Sequence, residues 1–273
     1  MSDLSDMKQL RVSVATYNRV VFPHPEDGAL MLALERQASA INESEVYVRA
    51  QPFGGGIHIL NPTPLREIIG EIQFDSERSK HERDFRILIP PSKWELIKEY
   101  CMRHLEDEDD IELETEPHRE LTEEFAEAMR VYLNPAQYTV QPMGFVIENS
   151  PVRSENIYAR GLLTVHIYRI FEVRIVDKML SRIMLTVSDL YSDQDLKGLA
   201  SADLQNYGKG RVNTILALPL QVVTDSYRQL EPEARYQNLQ IKGHEVERSV
   251  LSILGPMDTP QYQWMRVNPN ESS

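Results

Sequence analysis

A row of glutamates near the middle of the chain has the residue types and the spacing to bind a metal ion. With 100° of rotation per residue, five of them would share one face of a helix: Glu116, Glu120, Glu123, Glu124 and Glu127. Like charges at these spacings repel each other by roughly a few tenths of a kcal/mol per pair. A divalent cation would reverse this repulsion. Carboxylates clustered without His or Cys suit Mg²⁺ or Mn²⁺.

The same segment predicts the helix that would carry these acids. Pro117 suits the first turn, because the N–H that proline lacks would have no partner there. A second arc is apolar and predicts the buried side of the helix: Leu121, Phe125, Ala128, Met129 and Tyr132. The pattern is equally typical of an amphipathic helix whose acids only face solvent. Spacing alone leaves both interpretations open.

The six residues from Arg119 to Glu124, Arg-Glu-Leu-Thr-Glu-Glu, resemble the core of the Nudix box, Arg-Glu-aliphatic-x-Glu-Glu, of the Nudix hydrolase superfamily. The resemblance implies that three carboxylates bind the metal and supply the base: Glu120, Glu123 and Glu124. It also implies that Arg119 holds one of them in place by a charge-assisted hydrogen bond.

Three features depart from the family pattern. Ala126 stands where the family has a small residue that is usually Gly. The upstream acid of the box, whether Glu112 or Glu114, is too close to the core motif. The Gly-Gly that normally lies just before the box is best matched by Gly54–Gly56, roughly sixty residues earlier. The resemblance therefore implies a large insertion between the glycines and the helix.

Two glycine-containing segments are candidates for binding phosphate. Three glycines, Gly54, Gly55 and Gly56, would let a phosphate or ribose approach the backbone closely, and the alternative is a plain hairpin turn. Lys209 and Arg211 lie in a Gly-Lys-Gly-Arg segment before Val212–Tyr227, which we interpret as a helix kinked at Pro219. Backbone N–H groups and two cations would bind an anion there. The alternative is a turn with ordinary surface basic residues.

Three further titratable residues follow the box. His166 has apolar neighbours, and we interpret it as a hydrogen-bonded core residue rather than a catalytic one. Glu148 and Glu172 are better candidates, because in Nudix hydrolases a further acid beyond the box often completes the metal shell or supplies the base. Spacing does not choose between the two.

Composition limits the classes of function. The chain of 273 residues is 41% hydrophobic and 26% charged, which is typical of a soluble globular protein. Its net charge of −13 argues against general nucleic-acid binding, but not against one nucleotide held through a metal. The single cysteine, Cys101, excludes an intrachain disulfide and favours the cytoplasm; we interpret it as a buried helix residue. No apolar run is long enough to span a bilayer, and Met1–Leu10 does not resemble a signal peptide.

Periodicity predicts a mixture of strands and helices. The strongest strand signal is Leu162–Val176, apolar on both faces in places and therefore a central strand. Residues 29–40 and 177–188 fit either a helix or a strand. Further strands are predicted at residues 10–22, 46–49, 57–60, 65–74, 84–90, 138–142 and 144–147. Residues 75–83 read as polar turn, and further helices are predicted from Ser92 through Leu105, over Ser192–Leu204 and over Glu245–Leu254.

This order of elements predicts an α+β fold. With the resemblance, it implies a Nudix-like α/β/α sandwich with a mixed sheet and an inserted strand–helix unit. We expect one domain over residues 1–255, an insertion at about 65–110 and a flexible tail over 256–273.

The leading functional hypothesis is a Mg²⁺-dependent hydrolase of a nucleoside diphosphate-linked compound. The first alternative is a non-catalytic Nudix-like scaffold that senses a nucleotide or assembles with partners. The second is an interaction protein without a ligand. The expected partner is a nucleotide-type small molecule, and the sequence leaves open a homodimer or a protein complex.

Overall fold

The structure is a computed structural model that describes residues 8–42, 44–107, 110–114, 116–148, 150–154, 159 and 161–266; of Glu120 it describes only the main chain. Its described strands form one mixed sheet. They are β1 Leu10–Pro23, β2 Leu30–Asn42, β3 Glu45–Gln51, β4 Phe53–Gly56, β5 Gln73–Phe74, β6 Arg86–Ile89, β7 Tyr138–Glu148, β8 Val152–Arg153, β9 Leu163–Ile175, β10 Arg211–Pro219, β11 Leu239–Ile241, β12 His244–Val246 and β13 Tyr262–Arg266.

The α-helices lie between these strands in the chain. They are α1 Thr63–Ile69, α2 Glu77–Glu82, α3 Trp94–Glu106, α4 His118–Met129, α5 Lys178–Leu190, α6 Asp193–Tyr207 and α7 Leu220–Arg228. A mixed sheet combined with helices confirms the predicted α+β class.

The strands β1 and β9 form the centre of the sheet. They pair in parallel from Arg11 with Thr164 to Val21 with Arg174, and β7 pairs antiparallel with the other edge of β9. The path through the sheet runs β11-β12-β3-β2-β1-β9-β7-β13. Side chains of β9 enter apolar clusters through Val165, Ile170 and Val173. The prediction of a central strand at Leu162–Val176 is therefore confirmed.

Helix α4 packs on the sheet through the predicted apolar stripe. Leu121 and Phe125 are fully buried and Ala128 nearly so, in one cluster with Phe22 and Phe53. The helix ends at Arg130, which has a left-handed φ of 56°. The prediction that Tyr132 belongs to the stripe is wrong, because the chain has left the helix there and Tyr132 is 81% exposed.

Several element predictions are wrong because an apolar run does not by itself distinguish a helix from a strand. Leu65–Phe74, predicted as a strand, contains most of α1, whose first turn holds Pro64, and only Gln73–Phe74 is a strand. Val212–Tyr227, predicted as one kinked helix, is β10 followed by α7. The strand is fixed by nine residue pairs with β2, and Pro219 ends it. Glu245–Leu254, predicted as a helix, divides between β12 and a 3-10 helix over Arg248–Ile253.

Other segments resolve what the pattern left open or refine it. Residues 29–40 lie mostly in β2 and residues 177–188 mostly in α5. Polar residues 75–83, predicted as a turn, contain α2, which Ser76 caps by accepting from the Ser79 N–H. The two strands predicted on either side of Pro142 are one strand, β7, with an irregularity there.

The segment from residue 256 differs from the flexible tail that the sequence predicts. Tyr262–Arg266 forms β13 and pairs antiparallel with β7; residues 267–273 lie outside the described part of the chain. Cys101 is fully buried in α3, as predicted. Within the described residues, no helix has both the length and the apolar composition that crossing a membrane would require.

Candidate functional site

A cavity of about 630 Å³ lies over the face of the sheet formed by β1, β4, β6 and β9, with α2 and α4 at its sides. Its lining contains most of the residues that the sequence singled out: Gly54, Gly55, Gly56, Arg119, Glu123, Glu124 and Arg211. Lys209 is not among the lining residues. The side chain of Glu120 lies outside the described residues.

The glycine run and helix α4 meet directly in this cavity. The backbone N–H of Gly54 donates a hydrogen bond of 2.5 Å to Glu124 Oε2. The neighbouring residues in the chain stabilise this contact, because the rings of Phe53 and Phe125 pack with centroids 4.9 Å apart. Gly54 itself pairs with Tyr17 of β1. The long segment between the glycines and the box contributes β5 and β6 to the sheet and then returns to the glycines.

The glycines form a strand rather than the plain hairpin turn that was the alternative. Gly54 has φ +148°, and a Cβ there would lie 2.0 Å from the carbonyl oxygen of Thr16. A Cβ at Gly56 would lie 3.1 Å from the Asp84 carboxyl carbon and 3.2 Å from Arg86. Glycine thus lets β4 lie against its neighbours and leaves the backbone open to the cavity.

Arg119 connects the start of α4 to an acid upstream of the helix. Its Nε and one terminal nitrogen donate to the two carboxylate oxygens of Glu114 at 2.9 and 2.8 Å. Its other terminal nitrogen lies 3.3 Å from Glu123 Oε2. Such a two-pronged contact is the strong geometry for arginine and a carboxylate. Glu114 lies closer to the core motif in sequence than the upstream acid of the family pattern does, and its carboxylate binds Arg119.

The row of glutamates divides between the cavity and solvent. Glu123, Glu124 and Glu127 line the cavity, and Glu127 accepts a hydrogen bond of 3.0 Å from Asn213. Glu116 is not among the lining residues and its side chain is 61% exposed. Among the residues that the structure describes, no group of three or more His, Cys, Asp or Glu is placed to hold a metal ion. Mg²⁺ is commonly held by only one or two carboxylates together with substrate phosphates and water, so the oxygen donors present fit such an ion.

Arg211 reaches the cavity from a strand. The prediction that Gly-Lys-Gly-Arg opens a helix with an anion-binding N-terminus is wrong, because Arg211 begins β10. Its guanidinium lies 3.7 Å from Glu35 Oε1. Glu35 is fully buried and accepts a 2.6 Å hydrogen bond from Gln51. Burial raises the pKa of the Glu35 carboxyl above its ordinary value, although Gln51 and Arg211 act in the opposite direction.

His166 lies on the cavity floor rather than in an apolar core. Its Nδ1 is 2.6 Å from Glu148 Oε2, and Tyr236 donates its hydroxyl proton to the other oxygen of Glu148. Burial, followed by the Glu148 charge, raises the pKa of Tyr236, so this hydroxyl stays protonated as a donor. The predicted hydrogen bond of His166 is therefore present, and the predicted core location is wrong. Glu172 is outside the lining and pairs with Arg19 and Arg174.

Sequence reasoning missed a set of residues that line the cavity floor and its far wall: Arg11, Ser13, Tyr17, Arg86 and Tyr168. Arg11 is buried, at 2.7 Å from Asp75. Burial lowers its pKa, and Asp75 offsets part of this effect. A signal was present in β1, because polar Arg11 and Ser13 alternate with Val12 and Val14, and alternation places them on one face.

A scan against protein-family models gave no match to this chain, and searches of curated proteins and of solved structures gave no significant match either.

Proposed function

We propose that this protein is a Mg²⁺-dependent hydrolase that cleaves the pyrophosphate bond of a nucleoside diphosphate-linked compound, on a Nudix-like α/β/α sandwich with an inserted strand–helix unit. One observation carries the proposal: the Gly54 N–H donates to Glu124 across seventy residues of chain. This contact joins the glycine run to the helix whose Arg119–Glu124 segment resembles the Nudix box, which supports the idea that both belong to one site.

The charges around the cavity suit a ligand that carries phosphates together with a cation. Acids of α4 lie at one side, and Asp75, Glu82 and Asp84 of the same lining are paired with arginines. Five arginines contribute to the same lining, in a chain whose net charge is −13: Arg11, Arg78, Arg86, Arg119 and Arg211. Guanidinium groups bind phosphate oxygens through paired hydrogen bonds. Carboxylates beside arginines suit a pyrophosphate that binds together with a metal ion.

Each residue has a distinct role in this proposal. Glu123 and Glu124, with Glu120 from the resemblance, would hold the ion, which when bound neutralises phosphate charge and lowers the pKa of a coordinated water. Arg119 is a positioning residue, because it orients Glu123 while anchored to Glu114. Arg211 would hold a phosphate, and the Gly54–Gly56 backbone lets the ligand approach closely.

A non-catalytic nucleotide-binding scaffold is the second candidate. It is favoured by the partners that the box residues already have, since Glu124 accepts from Gly54 and Glu123 contacts Arg119. Such contacts can hold the helix in place without a metal. This scaffold would bind nucleotides in the same cavity and leave them intact.

Turnover and binding measurements separate the two candidates. Wild-type protein is incubated with Mg²⁺ or Mn²⁺ and a panel of dinucleoside polyphosphates, nucleotide sugars and ADP-ribose, and the products are separated by chromatography. Glu124→Gln is expected to reduce hydrolysis by at least about a hundredfold while the melting temperature stays close to that of wild type. Glu99→Gln on α3, whose side chain is 70% exposed, is the matched control.

Hydrolysis that persists in Glu124→Gln would refute the catalytic role of this carboxylate. Nucleotide binding without turnover in wild type, measured by isothermal titration, would favour the scaffold. If the wild type neither binds nor hydrolyses any compound of the panel, both candidates are wrong.

A further inference from the structure

Three polar residues form a straight row across three adjacent strands at one end of the cavity. Ser13 of β1 pairs with Arg86 of β6 on one side and with His166 of β9 on the other. Neighbouring strands lie about 4.8 Å apart, so the row extends over roughly 10 Å. All three residues line the cavity. A guanidinium, a hydroxyl and an imidazole therefore face the same space from three strands.

The middle residue of the row is buried and its hydroxyl is unpaired. Ser13 is 6% exposed, and within the described part of the chain no hydrogen bond engages its hydroxyl. Because Ser13 lines the cavity, its hydroxyl is open to the cavity rather than enclosed by protein. A water molecule or a polar ligand atom is therefore the natural partner for this hydroxyl.

Each of the two outer residues is paired with a carboxylate that is less exposed than the residue itself. Arg86 lies 2.7 Å from Asp84, with side-chain exposures of 28% and 6%. His166 lies 2.6 Å from Glu148, with exposures of 20% and 2%. In each pair the donor is more exposed than the carboxylate; Glu148 is outside the cavity lining, whereas Asp84 is part of it. Glu148 engages Nδ1 of His166. The other ring nitrogen, Nε2, has no hydrogen-bond partner among the described residues.

The row is separate from the end of the cavity that holds the glutamates. Gly54, which binds Glu124, pairs with Tyr17 of β1, whereas the row is centred on Ser13. Four residues of extended strand correspond to about 13 Å. A group bound to the row is therefore a different group from the one beside Glu124.

We propose that Arg86, Ser13 and His166 bind a phosphate monoester of the ligand, distinct from the pyrophosphate beside Glu124. Three donors that approach from different strands suit a tetrahedral anion with several acceptor oxygens, and charge-assisted hydrogen bonds to it are strong. This inference rests on the proposed function. It narrows the substrate class to nucleoside diphosphate-linked compounds that carry a further phosphate.

The first experiment measures the binding of inorganic phosphate by isothermal titration in EDTA, so that neither a metal nor hydrolysis contributes. Wild type is expected to bind one phosphate per chain, and Ser13→Ala to weaken the affinity by roughly tenfold, because it removes one hydrogen bond to a charged group. Arg86→Gln and His166→Gln should weaken it as well. Ser92→Ala and the exposed Arg228→Gln are matched controls and should bind as wild type does.

The second experiment compares ADP-ribose with its 2′-phosphate under the same metal-free conditions. The phosphorylated compound is expected to bind at least tenfold more tightly to wild type, and Ser13→Ala should remove most of this difference. Thermal denaturation of each variant verifies that it is folded. Ser13→Ala is the decisive variant, because it removes a single hydroxyl and leaves both ion pairs intact.

Absence of saturable phosphate binding, or equal affinity in wild type and Ser13→Ala, would overturn the phosphate site. If the binding of inorganic phosphate depends on Arg86, Ser13 and His166 but the 2′-phosphate does not increase the affinity for ADP-ribose, the proposed substrate class is wrong. Neither result depends on turnover, so a failure of the hydrolase proposal is recognised separately by the Mg²⁺ assay with Glu124→Gln.

Discussion

Gly54 and Glu124 are seventy residues apart in the chain and 2.5 Å apart in space, joined by a hydrogen bond from a backbone N–H to a carboxylate oxygen. The bond requires β4 to lie flat against β1 and requires α4 to turn its acidic face toward β4. Each condition depends on particular side chains. These side chains lead to testable consequences.

The backbone at Gly54 should not tolerate a side chain. In Gly54→Ala the methyl group would meet the Thr16 carbonyl oxygen at 2.0 Å, at φ +148°. We expect a loss of roughly 3 kcal/mol or more in the free energy of unfolding, from strain and overpacking together. Urea denaturation measures it.

Gly198 in α6 provides the matched control for this substitution. An added Cβ there meets nothing within 4 Å, and glycine inside a helix is less favourable than alanine by about 0.5–1 kcal/mol. Gly198→Ala should therefore stabilise the protein slightly. A Gly54→Ala variant as stable as wild type would contradict the close approach of β4 to β1.

Phe125 should anchor α4, and Tyr132 should not. Phe125 is fully buried against Phe53, so Phe125→Ala is expected to cost about 3–5 kcal/mol of stability through lost burial and a cavity. Tyr132 is 81% exposed, and Tyr132→Ala should change stability by less than about 0.5 kcal/mol. Chemical denaturation of both variants tests the pair. Comparable losses would mean that the apolar stripe continues past Arg130.

The two-pronged geometry of the Arg119 guanidinium should matter more for hydrolysis than its positive charge does. Arg119→Lys keeps the charge but cannot hold both oxygens of Glu114 while also reaching Glu123. Both partners are partly exposed, so we expect a loss of only about 1 kcal/mol in stability. Hydrolysis should fall more strongly, because the orientation of Glu123 is disturbed. If Arg119→Lys matched wild type in turnover, the positioning role would be wrong.

The contribution of the Glu35 carboxyl to the free energy of unfolding should depend on pH. Burial raises the pKa of this carboxyl in the folded state above its ordinary value of 4.5. Between the unfolded and the folded pKa the folded state binds more protons, so stability falls as pH rises through this window and is lower above it. Glu35→Gln removes this titration. Relative to wild type, its melting temperature should therefore increase as pH rises from about 4.5 toward 8.

Thermal denaturation of wild type and Glu35→Gln side by side at each pH cancels the contributions of other groups. A difference that stays constant with pH, or that shrinks as pH rises, would show that Glu35 does not titrate with a raised pKa.

Local patterns in the sequence determined the elements whose periodicity is unambiguous. The stripe of Leu121, Phe125 and Ala128 identified α4, and the apolar run around Val165 and Ile170 identified the central strand. In both cases side chains at a fixed spacing must be buried on one face or on two. Sequence patterns also predicted the α+β class and the helix over Ser192–Leu204, which corresponds to α6.

Only the tertiary structure decided which elements meet and, for ambiguous runs, which element forms. Val212–Pro219 is a strand because it pairs along β2, which is about 180 residues away in the chain and which no local pattern identifies as its partner. The meeting of Gly54 with Glu124, and the row of Arg86, Ser13 and His166, likewise depend on the register of β4, β6 and β9 against β1. Register is fixed by the packing of whole faces of the sheet. The spacing of residues along the chain therefore does not determine the register of the strands.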